Sequence, residues 1–192
     1  MKTYVVAETA FQGRLMKRLL HVATLPEFVV VRGGRQLSAI SMASSIRSNR
    51  GAPVVVVLDA DTVEPRAILE KRPDLDYLLK TGSYPAGPPP PAVLLMAVPQ
   101  VEVVLFSDPE ALECVLGRAL TEREKIEGEF RPRAVLERLL ADAQMDEDGL
   151  LERINPRAAA CFAAHPLIRE LAQAIENANA AMAAAIALAD AA

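Results

Sequence analysis

The chain has 192 residues, of which 52% are hydrophobic and 24% charged, with a net charge of −4. This composition is that of a folded globular protein with one sizeable core, which excludes an intrinsically disordered chain. Two cysteines are too few for a disulfide framework, and the longest apolar stretches fall well short of the ~20 residues that a membrane-spanning helix needs. We therefore expect a cytoplasmic protein without a signal peptide.

The first part of the chain alternates between β-branched runs, which predict strands, and apolar residues at helical spacing, which predict helices. Short connections between these elements predict right-handed crossovers and a mostly parallel sheet. In chain order the predicted elements are strand 3–7, helix 10–22, strand 27–31, helix 36–48, strand 54–58 and helix 63–71.

The second part of the chain begins with a Pro- and Gly-rich stretch at 84–91, which predicts an extended loop. The apolar stretches 92–97 and 101–106 predict further strands, and every element from Asp108 onward is predicted to be helical. We therefore predict an α/β domain over residues 1–118, with a mostly parallel sheet and flanking helices. An all-helical C-terminal extension over residues 119–192 is expected to pack on this domain or on a second copy of the chain.

Acidic side chains follow two of the predicted strands. Asp59 and Asp61 come directly after the run 54–58, and Glu8 follows strand 3–7. Because open α/β folds bind ligands at the carboxyl ends of their parallel strands, we expect the three carboxylates to meet there. Paired carboxylates attract Mg²⁺, and a third can bind metal or transfer a proton. The alternative is that the two aspartates cap the following helix.

Positive charge is concentrated in the first part of the chain. Residues 1–58 carry eight basic and two acidic side chains, a net charge of +6, which leaves −10 for the rest. A basic section beside an acidic motif suits a partner that bears phosphates, whereas the alternative is a solvated surface with accidental clustering. The side chains expected to contact a nucleic-acid backbone are Arg14, Lys17, Arg32 and Arg35.

These motifs resemble a known family. Val5-Val6-Ala7-Glu8 before a helix, with Asp59-Ala60-Asp61 after an apolar strand, resembles the Toprim domain of topoisomerases, bacterial primases and OLD-family nucleases. Gly33-Gly34 is similar to the glycine turn of OLD-like Toprim proteins. The resemblance implies a Toprim/Rossmann-like sheet and phosphodiester chemistry that depends on Mg²⁺ or Mn²⁺. It implies Glu8 as the general acid/base and Asp59 and Asp61 as metal ligands.

A second stretch, residues 98–108, is similar to a segment of small stand-alone Toprim-like proteins, some of them associated with phage defence. The similarity implies that Glu102 and Asp108 lie near the metal, with Glu102 as a further ligand, although Val104 stands where that family tends to have Trp. Within an apolar strand, Glu102 would be a buried carboxylate that needs a partner. Asp108 precedes Pro109 and could instead cap a helix.

The resemblance therefore implies a nuclease that acts on DNA or RNA in phage defence or DNA repair, with an ATPase or a second copy of the chain as partner through the helical extension. One alternative is a non-catalytic module that binds a metal or a nucleotide. Another is a phosphatase of the haloacid-dehalogenase type, because residues 59–63 also fit its DxDx(T/V) signature. In that family the signature normally lies on the first strand.

Overall fold

The structure, a computed structural model, describes residues 2–21, 25, 27–81 and 89–190. Within these residues the chain forms an α/β fold whose strands are all parallel, as predicted. Most of the predicted loop at 84–91 lies outside the described residues, as does residue 22 at the predicted end of the first helix. The strands are β1 (Thr3–Ala7), β2 (Phe28–Arg32), β3 (Val54–Asp59) and β4 (Ala92–Ala97).

The sheet order is β2-β1-β3-β4, which places β1 and β3 at the centre. Every residue of β3 is buried, as expected for a strand with both faces covered. Ala7 aligns with Val57 of β3 and with Arg32 of β2. The residues that follow β1 and β3 therefore leave the sheet side by side at its carboxyl edge.

The helices cover both faces of the sheet. One face, with Val6 and Val56, packs against α2 and α3 through residues such as Ile40 and Leu75. The other face packs against α1 and later helices. In chain order the helices are α1 (Ala10–Leu20), α2 (Gln36–Arg50), α3 (Pro65–Lys80), α4 (Val103–Phe106), α5 (Pro109–Leu116), α6 (Glu122–Phe130), α7 (Pro132–Asp142), α8 (Glu147–Arg153), α9 (Pro156–Ala163) and α10 (Pro166–Asp190).

The prediction of a strand at 101–106 is wrong, because the chain forms the single helical turn α4 there. Short apolar runs do not distinguish a strand from a buried helical turn. Val104 and Leu105 are fully buried, so the apolar character of the run reflects burial in the core. Glu102 precedes the turn as its N-cap residue, with a helical backbone conformation.

The helical extension shares its core with the sheet. Val5 and Val57 belong to the same buried cluster as Phe162, Leu171 and Ile175 of the last two helices. The boundary at residue 118 stays a prediction. Among the described residues, the two predicted parts are packed together and the extension has no buried cluster of its own. None of the helices in the described parts of the chain is both long and apolar enough to cross a membrane.

The turn between β2 and α2 depends on two glycines. A Cβ atom on Gly33 would lie 2.5 Å from Val6 Cγ1 and 2.7 Å from Ala39 Cα, distances that real side chains do not reach. Gly34 has a φ of +80°, a conformation that glycine adopts at little cost. This close turn sets the first residues of α2 at the carboxyl edge of the sheet, beside the ends of β1 and β3.

Candidate functional site

The predicted acidic residues lie at the carboxyl edge of the sheet, at the ends of the two central strands. Glu8 follows β1, Asp59 is the last residue of β3, and Asp61 comes two residues later. Glu8 Oε1 accepts a hydrogen bond of 2.8 Å from the backbone N–H of Asp59. Asp61 has a φ of +57° in the left-handed region, which Asp tolerates better than most residues.

The loop after β4 is tied to the same edge. The backbone N–H groups of Ala60 and Asp61 donate to the carbonyl oxygens of Ala97 and Pro99, each at 2.8 Å. The Gln100 amide donates to Asp61 Oδ1 at 3.2 Å. These bonds hold the loop that leads to Glu102, which was predicted to lie near the metal, against the ends of the strands.

Asp59 is almost completely buried, with an exposed fraction of 1%. Its Oδ1 atom accepts from the Val101 N–H at 2.9 Å. Its Oδ2 atom accepts from Gln12 Nε2 at 2.8 Å and from Arg133 Nη2 at 2.5 Å. Buried carboxylates need such partners because desolvation penalises their charge. Asp59 therefore organises the edge of the sheet by binding α1, the β4–α4 loop and α7 together.

The alternative that Asp59 and Asp61 cap the next helix is not what the structure shows. Helix α3 has Glu64 as its N-cap residue, without a hydrogen bond from a capping side chain. Asp108, in contrast, is a helix cap, since its side chain accepts from the Ala111 N–H at the start of α5. The capping interpretation of Asp108 is thus the correct one.

Arg133 is the residue that sequence reasoning missed. It lies in the first turn of α7, and its guanidinium donates to both oxygens of Glu102 at 3.1 and 3.3 Å as well as to Asp59. Glu102 is 2% exposed, so the expectation that this carboxylate needs a partner is met by an arginine. No motif surrounds Arg133, and 74 positions separate it from Asp59. The one available signal was that two buried carboxylates need a positively charged partner.

The charged groups at this edge shift one another's pKa values. Burial raises the pKa of Glu102, while Arg133 opposes the shift. Burial lowers the pKa of Arg133, but its bonds to Glu102 and Asp59 outweigh this effect and raise that pKa overall, so the guanidinium stays charged. Burial raises the pKa of Glu8 to about 7, and the charges of Asp59 and Asp61 add to it. A carboxyl with a pKa near 7 is suited to accept or donate a proton at neutral pH.

A cavity of about 440 Å³ opens at the acidic edge and is named here the acidic cavity. Glu8 and Asp61 line it together with three basic side chains, and the first residues of α2 complete its wall. Gln36 fixes this wall to the sheet, because its amide donates to the carbonyl oxygen of Asp59 at 3.0 Å. Two carboxylates facing several cations suit a phosphate group bound together with a divalent ion. The basic side chains are Arg35, Lys71 and Arg133.

The four residues predicted to contact a nucleic-acid backbone lie at different places in the structure. Arg35 lines the acidic cavity, and Arg32 is exposed as the last residue of β2 at the same sheet edge. Lys17 is exposed on α1. Arg14 forms ion pairs with Glu147 at 3.3 Å and Asp148 at 3.2 Å, so its charge is already compensated. Lys71 was not singled out from the sequence.

Only some of the acidic residues at this edge are placed to bind a divalent ion. Within the described parts of the chain, no three His, Cys, Asp or Glu side chains are arranged to hold a metal. Arg133 engages Asp59 and Glu102, which removes both from coordination while the arginine stays in place. Glu8 and Asp61 face the cavity, and Mg²⁺ commonly takes one or two carboxylates plus waters and substrate phosphates. These two carboxylates therefore fit the ion, and the buried pair does not.

The geometry defines a parallel α/β domain with a polar cavity at the carboxyl ends of its central strands. No protein-family model and no curated protein matches the chain. Among solved structures, it matches the C-terminal region of the Burkholderia pseudomallei OLD protein with a TM-score of 0.54 and 18% identity, over 94% of this chain and 98% of that one. The C-terminal region of the Xanthomonas campestris pv. campestris OLD protein matches with a TM-score of 0.48 and 18% identity, over 94% and 96% of the two chains.

The chain therefore has an OLD-like Toprim fold. The match to the Burkholderia structure confirms the fold predicted from the motifs around Glu8 and Asp59. It also includes nearly the whole chain, so the helical extension, in which no resemblance was found from the sequence, is part of the shared fold.

Proposed function

We propose that the protein cleaves phosphodiester bonds of DNA or RNA in a reaction that depends on Mg²⁺ or Mn²⁺. The observation that carries this proposal is the acidic cavity, where Glu8 and Asp61 face the basic side chains of Arg35 and Lys71. A site that joins carboxylates for a divalent ion to cations for a phosphate matches the needs of phosphodiester hydrolysis.

Each side chain has a distinct part in the proposed reaction. Arg35 and Lys71 bind non-bridging phosphate oxygens and orient the scissile group. Asp61 would hold the divalent ion, which when bound would stabilise the charge that develops on the phosphate. Glu8 takes a proton from the attacking water, because its Oε1 is held by the Asp59 N–H and its side chain lines the cavity. The water oxygen forms a new bond to phosphorus while the P–O bond to the leaving sugar oxygen breaks, and that oxygen takes a proton from solvent.

Asp59 and Glu102 act in this scheme through Arg133 and not by contact with the substrate. With Arg133 in place, they hold the guanidinium at the wall of the acidic cavity, where it contributes positive charge. Both become metal ligands, as the family resemblance implies, only when Arg133 moves away from them.

The experiment that tests the proposal is a cleavage assay on plasmid DNA, linear DNA and RNA, with Mg²⁺, Mn²⁺ or EDTA. Wild-type protein should cleave in the presence of metal. Glu8→Gln should lose at least about a hundredfold in rate, a typical contribution of a positioned acid or base. Asp61→Asn should lose about as much, because it removes the carboxylate assigned to the metal. Glu147→Gln is the matched control, since Glu147 is an exposed carboxylate paired with Arg14. Equal cleavage by Asp61→Asn and wild type would refute the assignment.

A non-catalytic binding module is the second candidate, and the contacts of Arg133 favour it. The guanidinium compensates Asp59 and Glu102 without any metal, so the buried part of the site is stable as it stands. In this case nucleic acid or a nucleotide should bind in the acidic cavity without metal-dependent turnover. The proposed partner, an ATPase or a second copy of the chain, would then use the helical extension.

This partner can be tested without truncation. Phe162, Ile168 and Leu171 are buried in the core, so removal of the extension would unfold the protein. Ile186 and Leu188 are exposed on α10, with exposed fractions of 42% and 74%. Substitution of both by Ser should abolish association in sedimentation experiments without lowering the melting temperature.

The phosphatase interpretation fits the site poorly. Its first aspartate would have to attack the phosphate, but Asp59 is 1% exposed and accepts three hydrogen bonds. Hydrolysis of a small phosphomonoester by protein that leaves DNA and RNA intact would restore that interpretation.

A further inference from the structure

A second cavity of about 300 Å³ lies beside the acidic cavity and is named here the side cavity. Asp61 and Arg133 line both, so the two cavities adjoin across these residues. Gln100 lines the side cavity next to Asp61, and Phe130 and Arg131 line it from the α6–α7 junction. A ligand that fills the acidic cavity can therefore continue into the side cavity.

Phe130 is an unusual residue to find on this wall. Only 4% of the chain is aromatic, yet Phe130 is 55% exposed and belongs to neither buried cluster. Helix α6 packs on the core elsewhere, through the close contact of Gly128 with the ring of Phe106. Full burial of a Phe side chain stabilises a fold by about 1.5–3 kcal/mol. Because Phe130 is exposed, the fold does not obtain this stabilisation from it.

The polar side chains around Phe130 indicate the kind of ligand. Arg131 is exposed and, among the described residues, its side chain forms no ion pair or hydrogen bond. A cation adjacent to an exposed aromatic ring is the combination that binds single-stranded nucleic acid, with the ring stacking on a base and the cation contacting the backbone. Glu137 and Gln100 also line the side cavity and can hydrogen-bond the polar edge of a base.

We propose that Phe130 is a stacking platform for an unpaired nucleobase next to the phosphate held in the acidic cavity. This inference rests on the proposed function and adds a substrate class to it: nucleic acid that is single-stranded, frayed or nicked at the site of cleavage. A base within a continuous duplex has both faces stacked on its neighbours, so only an unpaired base can lie on the ring.

A protein segment is the competing occupant of this surface. Ile126 lies one helical turn before Phe130 and is 59% exposed, so the two share a face of α6. The base is favoured because the ring lines a cavity that shares Asp61 and Arg133 with the acidic cavity. The wall of this cavity also carries Arg131, whose side chain has no partner within the described parts of the chain. Ile126 does not line that cavity.

The experiment compares the affinities of a fluorescein-labelled 12-nucleotide single strand and of the duplex of the same sequence, in EDTA and in Ca²⁺. The proteins are wild type, Phe130→Leu, Phe130→Tyr and the control Tyr77→Leu, which removes an aromatic ring that is 68% exposed on α3. Stacking on one base predicts that Phe130→Leu binds the single strand about 5- to 150-fold more weakly. Phe130→Tyr and Tyr77→Leu should bind like wild type, and duplex affinity should be the same for all four proteins.

Three results would overturn the platform: no binding of the single strand by wild type in either condition, unchanged binding by Phe130→Leu, or an equal loss for single strand and duplex. Cleavage assays on the same proteins separate this inference from the proposed function. Metal-dependent cleavage with unchanged binding by Phe130→Leu refutes the platform alone. Selective loss of single-strand binding without any cleavage by wild type refutes the nuclease alone.

Discussion

Arg133 Nη2 donates to the buried Oδ2 of Asp59 at 2.5 Å, although the two residues are 74 positions apart in the chain. Asp59 ends the central strand β3, and Arg133 lies in the first turn of α7 in the helical extension. The extension thus supplies the cation that compensates the carboxylates of the sheet. The site is a product of the whole fold. The α/β part alone would leave Asp59 with its hydrogen bonds from Gln12 and Val101 but would leave both Asp59 and Glu102 without the cation that compensates them.

Removal of this cation should destabilise the protein strongly. Arg133→Met would leave Asp59 and Glu102, both at most 2% exposed, without their charged partner. Breaking a buried ion pair on one side typically costs about 3–5 kcal/mol. Urea unfolding would measure the loss. Arg138→Met is the control, because Arg138 is 49% exposed in its ion pair with Glu127 and should contribute about 1 kcal/mol or less.

The same variant tests the link between Arg133 and the metal. Without the guanidinium, the carboxylates of Asp59 and Glu102 repel each other, and a divalent ion is the natural replacement. Mn²⁺ should therefore restore more unfolding free energy to Arg133→Met than it adds to wild type. If Arg133→Met loses no more stability than Arg138→Met, the guanidinium does not have the role assigned to it.

Glu8 should make stability depend on pH. Because burial raises the pKa of Glu8 from 4.5 to about 7, the folded protein binds more protons than the unfolded chain between these values. The free energy of unfolding contributed by Glu8 is therefore largest below pH 4.5, falls as pH rises to about 7 and is constant above it. In EDTA, Glu8→Gln should remove about 1–3 kcal/mol of this fall between pH 5 and 7. An identical slope for both proteins would contradict the raised pKa.

The turn at Gly33 should not tolerate a side chain. In Gly33→Ala, the new Cβ would contact Val6 Cγ1 at 2.5 Å and Ala39 Cα at 2.7 Å, so the turn or α2 must shift. Overpacking of this kind costs about 1–3 kcal/mol, and the displacement of Arg35 should also weaken phosphate binding. Gly149→Ala is the control in thermal unfolding. Its Cβ would meet only side-chain atoms, Met145 Cγ at 3.1 Å and Asp146 Oδ1 at 3.2 Å, within a helix, where Ala is preferred over Gly.

Arg35 and Lys71 should account for part of the salt dependence of nucleic-acid binding. Each cation that neutralises a phosphate releases counterions, so the double variant Arg35→Ala, Lys71→Ala should reduce the slope of log K against log salt by about two. Arg14→Ala should leave the slope unchanged, because Arg14 is already paired with Glu147 and Asp148. Titration of a labelled oligonucleotide at several salt concentrations distinguishes these outcomes. A larger loss for Arg14→Ala would reverse the assignment.

The sheet and the acidic edge could be predicted because their signals are local. Uninterrupted apolar runs mark the buried parallel strands, and the residues that end them must lie at the carboxyl edge, so Glu8, Asp59 and Asp61 were expected together. The helices after Asp108 were likewise predicted from their periodicity.

The partners of the acidic residues could not be predicted, because they depend on tertiary packing. Nothing near Arg133 in the sequence indicates that α7 places it on Asp59 and Glu102. The apolar run at 101–106 is compatible with a buried strand and with a buried helical turn. In the packed core of this fold it forms the turn.

The most direct test of the central claim is calorimetric titration with Mn²⁺ in the presence and absence of an uncleaved oligonucleotide, for wild type, Asp61→Asn and the control Glu147→Gln. We expect wild type and Glu147→Gln to bind the ion, more tightly when the oligonucleotide supplies phosphate oxygens, and Asp61→Asn to bind at least tenfold more weakly. Equal binding by all three proteins, or no binding by wild type with the oligonucleotide present, would contradict a metal-dependent site at the acidic cavity.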